Sequence, residues 1–193
     1  MTSAPAAAPV KLVLAASVLA IAVAIVLAGR ADGATQAWTL YLAPSGACQG
    51  ATDRAASAPT QRRAIRCLVN WARAQEHRRG LRPSRELRRA AVLKGRGVAS
   101  CGELSHSPCN AGVTDAVRQS GYPYATFGEN LFAGMTQHVS AHDVVAAWLA
   151  STPHRANILS TGFRDLGLAG VAAHGLLGGG DSIVWVAAFG ARR

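Results

Sequence analysis

Histidine is the side chain best suited to act as ligand, base or proton carrier near neutral pH. Two of the six in this chain have settings that could support such work. His154 lies in Trp148-Leu149-Ala150-Ser151-Thr152-Pro153-His154-Arg155-Ala156-Asn157-Ile158-Leu159, and His106 lies between Cys101 and Cys109. A carboxylate in Gly128-Glu129-Asn130-Leu131 is the natural third member. Proline disfavours helix in the residue before it and fits the first turn of the next helix. An apolar helix over Val144–Leu149 is therefore expected to stop and restart at Pro153. That puts His154 at a helix entrance, aimed into a cleft, with Ile158 and Leu159 pinning the new turn to the core. The plainer reading is a structural histidine in a loop.

Other chemistries fit less well. Ser151 and His154 are close in sequence, but no Gly-x-Ser-x-Gly elbow and no nearby acid supports a serine hydrolase. His-Glu-x-x-His is absent, which disfavours a zincin protease. Gly178-Gly179-Gly180-Asp181 lacks the lysine of a phosphate loop and reads as a hairpin turn. Arg155 is expected to bond backbone carbonyls or a carboxylate, and His138, His142 and His174 are expected to be exposed.

The ordered blocks His106, Gly128-Glu129-Asn130 and Trp148-x-x-Ser151-x-x-His154-Arg155-x-Asn157-Ile158-Leu159 resemble the bacterial branch of the CAP superfamily. That superfamily comprises the cysteine-rich secretory, antigen 5 and pathogenesis-related proteins, and its domain is also called SCP. The resemblance spans roughly Ala64 to Gly190 and includes Leu68-x-Asn70-x-x-Arg73 followed by Gly80-Leu81-x-Pro83. It implies an α+β fold, a three-layer α-β-α sandwich over residues 60–193. It also implies that His106, Glu129 and His154 are three of four residues in a central cleft. The fourth, a glutamate in eukaryotic members, is Ser151 here, which weakens any acid–base chemistry. Two imidazoles, His106 and His154, with water or a carboxylate could hold zinc or another divalent cation, short of the three protein ligands of a catalytic zinc site. Glu129 would then orient a histidine or act as a base on metal-bound water. The alternative is a hydrogen-bonded cleft with no metal.

Elements able to position these residues are legible. Ile65, Leu68, Val69 and Ala72 predict a helix over Thr60–Arg79 with arginines opposite, in which Asn70 is a hydrogen-bonding residue. Ser84 caps a second helix carrying Leu87, Ala90 and Ala91, its end weakened by Gly95 and Gly97. Val113–Ser120 reads as a short helix and Tyr124–Leu131 as a strand. Ser140 with Asp143 is a capping arrangement. Two strands, about Leu166–Ala173 and Ile183–Phe189, close the chain.

Residues 1–37 read as a signal peptide or signal anchor. Lys11 precedes an uncharged apolar core, 12–28, and cleavage after Gly33 or Ala37 is an alternative to a retained membrane helix. Either outcome places the domain outside the cytoplasm. Residues 38–59 read as a linker or lead-in carrying Cys48. Four cysteines in an exported chain imply disulfides. Of three pairings, Cys48–Cys67 and Cys101–Cys109 are preferred, because the first ties the lead-in to the first helix and the second closes a short loop. A metal site from Cys101, His106 and Cys109 is the rival.

The formal charge of +10 is concentrated: Arg54 to Arg96 holds 13 Lys/Arg against 2 Asp/Glu. The first reading of this run is a solvated helix pair, the second an anionic envelope or membrane surface, and nucleic acid comes third and is not expected as a partner. A monomeric, secreted or membrane-anchored binding module for a lipid, glycan or cell-envelope ligand is preferred to an enzyme. The enzymatic alternative is a metal-assisted hydrolase of peptide or cell-wall bonds, with Glu129 as candidate base.

Overall fold

The computed structural model describes residues 37–193. The signal or anchor segment expected at the N-terminus, with its apolar core at 12–28, lies outside the described residues. Among the described residues no helix is long and apolar enough to cross a membrane.

Helix α1, Ala58–Gln75, starts on Pro59 and buries Ile65, Leu68, Val69 and Ala72. It stops short of the expected Arg79. His77 takes a left-handed φ of 52°, and the Arg78 N–H turns back to donate to the Arg73 carbonyl. Helix α2, Arg85–Cys101, is capped by Ser84, whose Oγ accepts the Leu87 N–H at 3.2 Å. It runs unbroken through Gly95 and Gly97. These glycines do not end the helix; each leaves room for a neighbour, Val171 and Pro108 respectively. A short α3, Asp115–Gln119, follows. Helix α4, Ala141–Ala150, opens on the Ser140/Asp143 capping box, and α5, Thr152–Leu159, restarts at Pro153.

Four strands, β1 Arg82–Pro83, β2 Tyr124–Met135, β3 Asp165–His174 and β4 Asp181–Arg192, form one sheet in the order β1-β3-β4-β2. The three long strands are antiparallel, and β1 pairs parallel with β3. Side chains alternate across β4. Trp185, Ala187 and Phe189 enter the core shared with α1, α4 and α5, while Val184, Val186 and Ala188 enter the core shared with α2 and α3. Helices thus cover both faces of a mainly antiparallel sheet, giving an α+β sandwich of three layers.

The segment before α1 is packed. Ala43, Cys48 and Ala51 are buried in the first core, and the Ala51 carbonyl accepts the His142 N–H at 2.8 Å. His142 is half-buried, not exposed as expected. Disulfides join Cys48 to Cys67 and Cys101 to Cys109, leaving no free cysteine among the described residues. With both sulfurs bonded to each other, the alternative metal site at Cys101, His106 and Cys109 has lost two of its ligands.

Candidate functional site

Strand β2 and helix α5 are joined by side-chain amides. Asn157 Nδ2 donates to the Glu129 carbonyl at 3.2 Å and to Asn130 Oδ1 at 2.9 Å. Asn130, fully buried, donates from Nδ2 to the His154 carbonyl at 3.0 Å. Trp148 Nε1 donates to the Leu131 carbonyl at 3.0 Å, fixing α4 to the same strand. Arg155 donates to the Leu149 carbonyl across the α4–α5 break, the backbone role expected of it. Gly128 is required by close approach: a Cβ there would lie 2.7 Å from the Phe163 ring and 3.0 Å from Asn157 Oδ1. The Gly-Glu-Asn block therefore works as a mount, in which glycine admits α5, asparagine grips it, and glutamate, on the other face of the strand, meets Lys94 and His106.

His106 reaches Glu129 from the loop closed by Cys101–Cys109, with Nδ1 2.8 Å from Oε1. An ionised carboxylate only accepts hydrogen bonds, so Nδ1 carries the proton and Nε2 is left for a ligand. Nε2 has no partner among the described residues. The His106 side chain is 48% exposed and Glu129 only 3%. The carboxylate is thus an internal support, and the imidazole is the accessible group.

Lys94 completes the arrangement. Its Nζ lies 3.6 Å from Glu129 Oε1 and donates to the His106 carbonyl, and its side chain is 3% exposed. Sequence reasoning missed it among the surrounding arginines. The available signal was its position: Lys94 continues the buried stripe of Leu87, Ala91 and Val98, where a cation must be paired.

His154 is half-buried and sits near enough to His106 to feel its charge. Burial first, and then His106, hold its pKa below the ordinary imidazole value. A depressed histidine pKa means that the unfolded chain binds the proton more readily. Stability from this group is complete above about pH 6.5 and falls as the pH drops through that value and on toward the folded pKa. The urea midpoint of the wild type is expected to decline between neutral pH and pH 5, and His154→Asn to remove part of that decline. Equal pH slopes in the two proteins would contradict this environment for His154. Ser151 serves through its backbone: its carbonyl accepts the Arg155 N–H at 2.8 Å.

These residues do not fit a divalent cation. The one nearby carboxylate already holds the His106 N–H and a buried ammonium, and that ammonium would repel a metal at the same oxygen. Only the two imidazoles remain, and among the described residues no group of three His, Cys, Asp or Glu is arranged to hold a metal.

No model of a known protein family matches the chain. The uncharacterized protein YkwD of Bacillus subtilis is 30% identical over 122 residues, covering 61% of this chain and 46% of that protein. Three solved structures are similar. An extracellular protein containing an SCP domain from Bacillus anthracis aligns at TM-score 0.55 and 18% identity, over 72% of this chain and 44% of that one. An outer surface protein from Borrelia burgdorferi aligns at 0.60 and 16%, over 69% and 93%. A cysteine-rich secretory protein from Staphylococcus aureus aligns at 0.51 and 16%, over 70% and 39%. The match thus spans less than half the length of YkwD and of the Bacillus anthracis and Staphylococcus aureus chains. This chain shares the fold of these three structures, the first of which is described as containing an SCP domain.

Proposed function

We propose that the chain is an extracytoplasmic binding module whose cleft takes a hydroxyl-bearing segment of a cell-envelope glycan. One observation carries this reading: the half-exposed His106 ring is fixed at Nδ1 by a buried carboxylate, which leaves Nε2 as an oriented hydrogen-bonding atom. Within electrostatic reach of it, His154 favours the neutral imidazole, which offers one donor and one acceptor. A neutral donor and acceptor beside an oriented ring nitrogen suit a sugar hydroxyl better than a cation. The extracytoplasmic part of the reading is supported by the descriptions of the solved neighbours as extracellular, outer-surface or secretory proteins.

A hydrolytic reading rests on the same pair, since an imidazole oriented by a carboxylate is also the arrangement of a general base. Ser151 in place of a second acid leaves that base without a matching proton donor, so binding is preferred. Calorimetric titration with soluble wall-glycan fragments, with the products examined by mass spectrometry, separates the two. Binding without cleavage, lost in His106→Ala and His154→Ala, is the expected result. Cleavage that disappears in His106→Ala would establish the hydrolase instead, and heats unchanged in both variants would remove the cleft as the binding site.

A further inference from the structure

The arginines that give the chain its charge converge on one place. Arg85, Arg88, Arg89 and Arg96 line a cavity of about 850 Å³ along α2, floored by Val92 and Leu93. A second cavity of about 180 Å³ lies between α1 and the β1–β3 edge, lined by Arg62, Arg63, Arg66 and again Arg88. Arg88 belongs to both, so the two adjoin as a groove running from α1 onto the outer face of α2.

Arg63, Arg85, Arg88, Arg89 and Arg96 are exposed to solvent, yet no acid among the described residues neutralises them. Among the described residues none of these arginines has a carboxylate oxygen within 4.0 Å. Arg63 bonds only the Thr60 hydroxyl, at 3.0 Å. Burial, and then the neighbouring Arg88 and Arg63, hold the Arg62 pKa below its ordinary value. The one acid in the groove, Glu86, is engaged by Arg192 at 3.1 Å and by the Ser84 hydroxyl at 2.8 Å. Guanidinium groups gathered without counter-charge favour an anion, and their planar forks suit phosphate oxygens.

We propose that this groove binds a linear polyanion with phosphate groups repeated along a flexible chain. Its concave form, continued over two elements, suits a chain better than a flat membrane. No aromatic side chain lines either cavity, so the groove lacks the stacking platforms that single-stranded nucleic acid uses. Recognition is of the charged backbone alone. The groove and the His106 cleft are separate sites, and failure of one leaves the other standing.

The test uses the full chain and labelled inorganic polyphosphate, with affinity read by fluorescence anisotropy between about 50 and 200 mM salt. Binding is expected to weaken as salt rises. Arg62→Gln/Arg88→Gln should reduce affinity at the low-salt end by about tenfold and lower the log–log salt slope by roughly 1.4, two phosphate contacts on a single strand. Arg79→Gln/Arg193→Gln removes the same charge away from the groove and should leave affinity within about twofold, since distant exposed charges are screened. Equal losses in the two double variants would overturn the groove in favour of diffuse charge. Tighter binding of single-stranded DNA than of polyphosphate at equal phosphate concentration would make nucleic acid the partner. Retention on anionic vesicles without polyphosphate binding would make it a membrane surface.

Discussion

Glu129→Gln is expected to lower the stability of the domain by about 3–5 kcal/mol, because it leaves the Lys94 ammonium buried without its carboxylate. Both side chains are 3% exposed, so water offers neither much relief. For a domain of this size the loss corresponds to a fall in Tm of roughly 10 °C. The informative comparison is Lys94→Met/Glu129→Gln. Replacing both charges removes the unpaired ion, while the amide oxygen of the new side chain can still accept the His106 Nδ1–H. The double variant should therefore recover most of the loss, with a coupling of at least about 2 kcal/mol in a double-mutant cycle followed by urea unfolding with the disulfides intact. Additive losses would show that the two charges do not depend on one another. Restored stability in the double variant would also supply a folded protein in which the proposed site can be titrated without its internal ion pair.

Gly167→Ala should be as damaging for a different reason. A Cβ at this position of β3 would run into the backbone of Leu87 and Arg88, in the first turn of α2. Backbone cannot swing aside as a side chain can, so α2 would have to lift from the sheet. The expected cost is about 4 kcal/mol or more, at the upper end for a single substitution. Gly95→Ala tests the explanation. The new methyl would meet the Val171 side chain at 2.7 Å, which can shift. Alanine also favours helix over glycine by about 1 kcal/mol, so the net loss should stay below about 2 kcal/mol. If thermal unfolding ranked the two variants the other way, the tight α2–β3 approach would be wrong.

The pattern of these two sites shows what the sequence made legible. Local signals translated directly into structure: Ser140 with Asp143 became the capping box, Pro153 restarted the chain as α5, and the apolar run Ile183–Phe189 became part of β4. Signals that depend on distant partners did not. Nothing next to Gly167 in the chain announces that Leu87 will press against it. Lys94 stands in a helix full of cations, and only its place on the apolar stripe separates it from Arg89 or Arg96. Arg73 has the same character: it falls on the buried stripe of α1 and donates to the carbonyls of Arg79, Ile158 and Ser160. Helix α1 ends before Arg79 because His77 adopts a conformation that glycine more often takes, a local exception that spacing does not reveal. Cations on apolar stripes are thus the signal most worth reading in chains of this composition.

The Cys48–Cys67 bridge bears on how the domain responds to force. A pull applied upstream of Cys48 passes through the bonded sulfurs to Cys67, in mid-helix, and residues 49–66 lie in a closed loop that carries no tension. Were the chain held at its N-terminus, the load would arrive near the centre of α1, against the Leu68 and Val69 packing, and the first turns of that helix could not be peeled away one by one. Reduction of this single bond would change the domain from one that resists as a block to one that unzips from its end.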